Sequence, residues 1–291
     1  MMKDSDSNLN ENQIERETQI KDGIWRPRIF DQFPEVDCAV ATKQFGPGWI
    51  YLRESKRFEA PMNPEKFRLA KVLINFARNI APNLDPHEIV YPELAHTDNI
   101  VLVDDEIIEN YAKSKQRILQ TDGVITKRPN TMLMVLTADC PSIGIYDPRV
   151  KAMGVFHSGW RGTSFNIVGE GIAKMVKEFG SKPENLVAAV GPGFSKNYEV
   201  KNDVLEAFRD SGQFSEEELN RLFTKVDEEH YHLDLFLAIK LQLQKAGVPE
   251  NQMEITNLRT DLDNDLFPSY RLEGQASDRA PFVMYLKPKG N

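Results

Sequence analysis

Three apolar runs, each long enough for one buried strand, follow one another between residues 131 and 156. TMLMVL (131–136), SIGIY (142–146) and KAMGVF (151–156) are separated by the short stretches TADCP and DPRV. Short apolar runs bounded by turn residues are typical of strands that are covered on both faces. The chain is therefore expected to build its core around strands with other layers packed against them.

Further strands and helices surround these runs in the sequence. Strands are predicted at VDCAVAT (36–42), NIVLV (99–103), NLVAAV (185–190) and PFVMYL (281–286). Four helices are predicted. The first begins at Asn63, and the second begins after WRG and ends at Gly180. The third begins at a capping box formed by Ser215 and Glu218, and the fourth begins after Asp234. We therefore predict an α/β (mixed α+β) fold, a single-domain layered sandwich with mixed β-sheets flanked by helices. Residues 24–291 are expected to form this domain, and residues 1–23 a disordered polar tail.

Composition narrows the class of protein. The 291 residues carry 44 acidic and 36 basic side chains, and the net charge of -8 argues against a general nucleic-acid binder. We find neither an apolar run of membrane-helix length nor an apolar signal core at the start. Two cysteines, Cys38 and Cys140, suit a reducing compartment. We expect a cytoplasmic monomer or small homo-oligomer without nucleic-acid or membrane partners.

The stretch TADCPSIGIYDPRVKAMGVFHSGWRG places Cys140 and His157 on two successive predicted strands. A hairpin symmetric about Pro148 and Arg149 sets these two residues directly opposite, with Cβ atoms roughly 4.5–5.5 Å apart. Such a pair suits a shared metal ion or a nucleophile with its base, and both residue types also occur in ordinary cores. A functional site is favoured by the polar residues around the pair: Thr137, Asp139, Ser158 and Arg161.

The same residues carry a family resemblance. TADCPSIGIYDP followed by VFHSGWRGT resembles the laccase-domain family, also called multicopper polyphenol oxidoreductase-like. Further segments match the family in order, namely ELAHTDNIVLV, TDGVIT, VGPGFSKNYEV and FPSYRLEG. The resemblance covers residues 35–287. It implies a laccase-like catalytic domain of the purine nucleoside phosphorylase or peptidoglycan-editing type.

The resemblance implies one zinc ion held by His96, Cys140 and His157. A Cys/His/His set with an open fourth position is typical of a catalytic zinc. Copper is disfavoured because of the number of ligands that it would need. A blue-copper centre alone uses two His and a Cys, and a complete multicopper oxidase, by resemblance to laccases, needs roughly ten histidines. The chain has five histidines. Laccase or polyphenol oxidase activity is therefore not expected.

The implied activity is phosphorolysis of purine nucleosides, with adenosine, inosine, guanosine and methylthioadenosine as substrates, and adenosine deamination as a second reaction. Zinc would activate water for the deamination. Arg161 could bind phosphate through its planar fork of N–H groups, where a helix N-terminus also attracts anions. The candidate catalytic residues are Cys140, His157, Asp139 and Arg161. The candidate substrate contacts, by resemblance, are Arg161, Ser269, Tyr270 and Arg271.

Two of these assignments leave alternatives. Asp139 could act as an acid or base, or it could orient Arg161 from behind. Trp160 could stack on a purine or pack in the core. The chain also departs from the family pattern, because Lys43 and Leu272 stand in place of arginines and Leu94 in place of a glutamine. These changes affect the substrate shell and leave the three zinc ligands intact.

Three rival functions are compatible with the same residues. Cys140 and His157 could form the dyad of a metal-free hydrolase or deamidase. The substrate could be a cell-wall precursor, as for an editing amidase on the same fold. A non-catalytic nucleoside-binding protein that uses zinc is the third. His96 distinguishes the metal-free dyad from a zinc site, since only the zinc site needs this residue.

Overall fold

The computed structural model describes residues 11–45, 71–114 and 118–288. The helices are α1 (Glu11–Gln19), α2 (Lys71–Ile80), α3 (Asp105–Ser114), α4 (Trp160–Ser164), α5 (Ile167–Phe179), α6 (Asn202–Asp210), α7 (Glu216–Leu222), α8 (Leu235–Lys245) and α9 (Tyr270–Glu273). The strands are β1 (Ile20–Lys21), β2 (Ile24–Trp25), β3 (Val36–Ala41), β4 (Ile89–Val90), β5 (Ile100–Leu102), β6 (Gly123–Thr126), β7 (Thr131–Thr137), β8 (Ser142–Asp147), β9 (Ala152–His157), β10 (Val187–Val190), β11 (Tyr198–Lys201), β12 (Phe223–Lys225), β13 (His230–Leu233), β14 (Met253–Ile255) and β15 (Ala280–Leu286).

Two mixed six-stranded sheets lie face to face. The first has the order β1-β2-β3-β15-β7-β4 and the second β14-β10-β8-β9-β6-β5. Side chains from the facing strands, such as Leu133, Met284, Tyr146 and Val155, pack into one buried cluster. The predicted α/β layered fold is therefore confirmed, with the apolar runs at residues 131–156 forming strands of both sheets.

The second sheet is also covered on its other face. Ile143 and Ile145 of β8 pack with α5 and α8, whereas Tyr146 points to the first sheet. Neighbouring strand residues point to opposite faces, so a strand that is apolar throughout is covered on both sides. The helix layer thus completes a sheet–sheet–helix sandwich.

A smaller three-stranded sheet, β11-β13-β12, packs with α6, α7 and α8 around a third buried cluster. The capping predictions in this region hold. Ser215 and Glu218 form both hydrogen bonds of a capping box at α7, and Asp234 accepts the N–H of Leu237 at the start of α8. Gly180, with a left-handed φ of 70°, ends α5 as predicted.

The helix predicted from Asn63 is described only from residue 71 onward. Its later part forms α2, and the predicted start lies outside the described residues. Within the described residues, no helix has both the length and the apolar character needed to cross a bilayer.

The structure differs from the expected tail over residues 11–23. Glu15 of α1 is buried and accepts hydrogen bonds from Trp25 Nε1, Thr256 Oγ1 and the backbone N–H of Asn257. Arg16 on the same helix pairs with Asp263. The helix is polar because its partners are polar groups of a distant loop, and a periodicity search for an apolar face does not detect such a helix.

Candidate metal centre and catalytic cleft

Cys140 lies just beyond the end of β7, in the short link to β8, and His157 is the last residue of β9. His96 precedes β5. The Sγ atom of Cys140 and one ring nitrogen from each histidine all lie within 4.8 Å of one another. Of the three side chains, His96 is exposed and His157 is buried, with Cys140 between these extremes. The structure therefore brings together the three residues that the resemblance named as ligands.

The hairpin register that was predicted for this pair is wrong. Ser142, not Cys140, lies opposite His157. The loop has four residues, 148–151, because the Asp147 side chain accepts the N–H groups of Arg149 and Val150 and Lys151 closes the loop with a left-handed φ of 54°. Cys140 is instead a diagonal neighbour of His157, and diagonal positions are still within reach of each other.

One buried carboxylate, that of Asp122, organises both histidines. It accepts backbone N–H groups from Ala95, His96 and Thr97 and lies 2.7 Å from Nδ1 of His157. These bonds hold the tight turn in which His96 has a φ of 58°. Because Nδ1 of His157 is occupied by Asp122, its Nε2 atom is the nitrogen available to a metal ion.

The role of Asp122 was missed from the sequence. The residue stands in the quoted segment TDGVIT, directly before β6, and this position was the available signal. Its burial would raise the pKa of the carboxyl group, but the hydrogen bonds from His157 and Thr97 lower the pKa to about 2. Asp122 is thus an anion at neutral pH, and an anion on Nδ1 makes the opposite nitrogen a stronger donor.

The thiol of Cys140 is biased toward its anionic form. Burial would raise its pKa, but the charge of His157 and hydrogen bonds with His157 and His96 lower the pKa to about 6. For His157, burial opposes the charged form, and the Cys140 thiolate and Asp122 together raise its pKa. A thiolate and two imidazoles are donors that fit zinc. The three residues could therefore hold a metal ion with a further coordination position left for a small ligand.

Asp139 does not pair with Arg161. Its carboxylate accepts hydrogen bonds from Thr260 Oγ1 at 2.6 Å and from the backbone N–H of Arg271 at 2.7 Å. The residue is buried and has a left-handed φ of 79°, which turns the chain between β7 and Cys140. Asp139 therefore joins the ligand segment to the start of α9 and does not orient Arg161.

A cleft of about 790 Å³ opens over the metal cluster. Arg161 and Trp160 line one part of it, and Tyr198, Tyr270 and Arg271 line another. Ser269 is fully buried and accepts the N–H of Leu272 at the start of α9, so it positions the helix rather than the ligand. Trp160 packs against the third buried cluster, which favours core packing over purine stacking for this residue.

Tyr198 and Arg279 are among the cleft residues that were not singled out from the sequence as site residues. Tyr198 follows the loop after β10, and Arg279 precedes β15. Burial and the charge of Cys140 raise the pKa of the Tyr198 phenol, so its hydroxyl stays protonated near the cluster. Only the fold brings these residues to the same cleft as His96 and Arg161.

Comparison with known proteins identifies the family of the chain. The model of the family described as multi-copper polyphenol oxidoreductase laccase matches residues 68–286, which span the cluster and the cleft. The chain belongs to this family. A protein of Bacteroides thetaiotaomicron named purine nucleoside phosphorylase is 34% identical over 197 residues, covering 67% of this chain and 72% of its own.

Other members of the family match over a greater length. A Staphylococcus epidermidis protein, also named purine nucleoside phosphorylase, is 30% identical over 269 residues, covering 87% of this chain and 93% of its own. Among solved structures, the hypothetical protein YfiH of Bacillus licheniformis superposes with a TM-score of 0.76 at 25% identity, over 92% of this chain and 97% of that one.

The departures of this chain from the family pattern now have locations. Lys43 bonds to Glu273 at 2.6 Å and to the carbonyl of Asn264 at 2.5 Å, which ties the segment after β3 to the end of α9. Leu94 lines the cleft beside His96. Leu272 is 55% exposed and is absent from the residues that line the cleft. Of the three changes, Leu94 is the one placed to alter contact with a substrate.

Proposed function

We propose that this protein is a zinc-dependent purine nucleoside phosphorylase that acts on adenosine, inosine, guanosine and methylthioadenosine, with adenosine deamination as a second activity. The observation that carries the proposal is that one cleft joins the Cys140/His157/His96 cluster to arginine and aromatic side chains. Arginines suit phosphate, and aromatic rings suit a nucleoside. The names of the relatives support the same choice.

His96, Cys140 and His157 would hold the zinc ion. When bound there, zinc would supply Lewis-acid activation of water for the deamination. Asp122 would keep His157 in the tautomer that binds through Nε2. Copper remains disfavoured for this cluster, because a multicopper oxidase needs several copper sites and the described residues contain one group of candidate ligands.

In the phosphorolysis, phosphate oxygen attacks the sugar carbon C1′ while the bond from C1′ to the purine nitrogen breaks, and the released purine takes up a proton. Arg161, which is exposed in the cleft, would bind and orient the phosphate. Asp139 would serve as a positioning residue. Because its two carboxylate oxygens are used by Thr260 and Arg271, it would hold α9 against the cleft instead of transferring a proton.

The test is incubation of the purified, zinc-loaded protein with adenosine or inosine, with and without inorganic phosphate. Release of adenine or hypoxanthine that requires phosphate is the expected result. Conversion of adenosine to inosine without phosphate would establish the second activity. The same incubation is repeated with guanosine and methylthioadenosine, and absence of turnover with all four nucleosides would contradict the proposal.

A second candidate function is favoured by one observation. Cys140, His157 and Asp122 are also arranged as a nucleophile, a base and an orienting acid, and the Cys140 thiol has a lowered pKa. This pattern suits a cysteine hydrolase, including an amidase that edits cell-wall precursors. The variant His96→Ala separates the two functions. It should lose zinc and phosphorolysis if the metal is required, whereas a dyad hydrolase would keep amide cleavage and need no zinc.

A further inference from the structure

Three arginines of the cleft lie against three aromatic rings of the same cleft. The guanidinium carbon of Arg161 is 4.2 Å from the centre of the Trp160 ring. That of Arg271 is 4.7 Å from the Tyr198 ring, and that of Arg279 is 5.3 Å from the Tyr270 ring. All six side chains line the one opening over the metal cluster.

Ion pairing distinguishes these arginines from others among the described residues. Elsewhere in the chain, Arg128 pairs with Glu88 and Asp105, and Arg209 pairs with Glu206 and Glu216. In the part of the chain that the structure describes, no ion pair within 4.0 Å forms at Arg161, Arg271 or Arg279. The cleft also contains two carboxylates, Glu93 and Asp139, which the three arginines outnumber. In a protein of net charge -8, this local excess of positive charge attracts anions.

Contact with a ring leaves part of each guanidinium edge available, although Arg271 also interacts with the Tyr198 hydroxyl. The five N–H groups of arginine lie in the plane of the guanidinium, so a ring that covers its face does not use them. Backbone carbonyls fix two of the planes further. Arg271 donates to the carbonyl of Glu199 at 2.9 Å, and Arg279 donates to the carbonyls of Ser277 and Asp278. A pre-oriented fork loses less side-chain entropy when it binds an oxyanion.

The three pairs are connected to the metal ligands. Arg161 follows His157 by four residues, at the start of α4. The backbone N–H of Arg271 is held by Asp139, which directly precedes Cys140. Tyr270 precedes Arg271 in α9, and its ring contacts the guanidinium group of Arg279. Each cation is therefore attached to the cluster through a short and ordered path.

We propose that Arg161, Arg271 and Arg279 together form the phosphate-binding site of this cleft, and that Trp160, Tyr198 and Tyr270 act as platforms that hold the three guanidinium planes. The inference rests on the proposed function for its choice of inorganic phosphate as the anion. It adds Arg279 as a phosphate contact. It also gives Trp160, Tyr198 and Tyr270 the role of supporting the arginines, whereas the sequence left Trp160 as either a purine platform or a core residue.

The test measures binding of inorganic phosphate directly, by calorimetry on wild type and variants at equal metal content. Arg279→Gln should weaken phosphate binding by about tenfold to a hundredfold, the loss typical of a charge-assisted hydrogen bond. Arg209→Gln removes the same charge from a surface ion pair that does not line the cleft, and it should leave phosphate affinity unchanged. Arg279→Lys should recover only part of the affinity, because lysine keeps the charge and lacks the fork.

The platform is tested at Tyr270. Tyr270→Leu removes the ring face and should weaken phosphate binding severalfold, whereas Tyr270→Phe, which keeps the ring face, should recover most of that loss. In steady-state assays, Arg279→Gln should raise the KM for phosphate and leave the KM for inosine nearly unchanged.

The inference would be overturned by equal phosphate affinity in Arg279→Gln and wild type, or by the same loss of affinity in Arg209→Gln. Wild-type protein that does not bind phosphate would overturn it as well. Phosphate binding that depends on Arg279 in a protein without nucleoside turnover would leave this inference standing and contradict the proposed function. Phosphate-dependent nucleoside turnover that is unchanged in Arg279→Gln would support the proposed function and contradict this inference.

Discussion

The Nδ1 atom of His157 lies 2.7 Å from Oδ1 of Asp122, and both side chains are almost fully buried. The same carboxylate accepts the backbone N–H of His96 at 3.0 Å. One side chain therefore fixes the ring orientation of one candidate ligand and the backbone of another. A metal ion bound at the cluster would depend on Asp122 although Asp122 does not contact it.

Replacing Asp122 is expected to weaken metal binding. In Asp122→Asn, the amide nitrogen would face N–H donors. Without the carboxylate, the proton of His157 would no longer be fixed on Nδ1. Zinc affinity should fall by about tenfold to a hundredfold. Competition with a chromophoric chelator measures this, and Asp98→Asn, an exposed residue near the same turn, is the matched control. An unchanged zinc affinity in Asp122→Asn would contradict the assigned role.

The two cysteines should differ in reactivity when the protein is free of metal. The Cys140 thiol has a pKa lowered to about 6, whereas burial raises the pKa of the Cys38 thiol well above its ordinary value. Because the thiolate is the reactive form, alkylation of Cys140 should increase with pH to half its maximum near pH 6, while Cys38 stays unmodified in the folded protein. Mass spectrometry after timed exposure to iodoacetamide measures both sites. Equal modification of Cys38 and Cys140 at pH 7 would contradict this difference.

The layers and many of the element ends could be predicted from the sequence because their signals are local. The buried strands appear as apolar runs, and the caps at Ser215, Asp234 and Gly180 are each read within a few residues. The β8–β9 register could not be derived in this way. It depended on whether Asp147 would cap a loop of four residues, which turn propensity alone does not decide.

Long-range polar contacts were the other part that the sequence did not reveal. Glu15 meets Thr256 across 241 positions of the chain, and Asp139 meets Thr260 across 121. Such contacts have no periodicity, because a polar group can be satisfied by any donor that the fold brings close. The three candidate ligands were found through family motifs, whereas Asp122, Tyr198 and Arg279 required the fold.

A single methyl group at Gly159 is expected to disturb the metal centre. A Cβ atom there would lie 3.0 Å from both Cys140 Sγ and His96 Cδ2, closer than ordinary contacts allow. Its φ of -70° suits alanine, so the effect is crowding rather than backbone strain. Gly159→Ala should therefore bind zinc more weakly while its metal-free form unfolds close to the wild-type temperature. Gly162→Ala is the control, because a Cβ there would be equally close to the carbonyl of Thr97 and would touch no ligand side chain. Equal zinc affinities in the two variants would contradict the crowding at Gly159.

Removal of the Glu15 side chain is expected to destabilise the folded protein. Glu15→Ala would leave Trp25 Nε1, Thr256 Oγ1 and the Asn257 N–H without their buried acceptor. Unsatisfied buried donors each cost about 1–3 kcal/mol, so we expect a loss of about 3 kcal/mol in the free energy of unfolding after partial rearrangement. Glu17→Ala, on the exposed face of the same helix, should change that free energy by less than about 0.5 kcal/mol. Urea unfolding of both variants measures the difference, and similar midpoints would mean that α1 does not contribute to the stability of the domain.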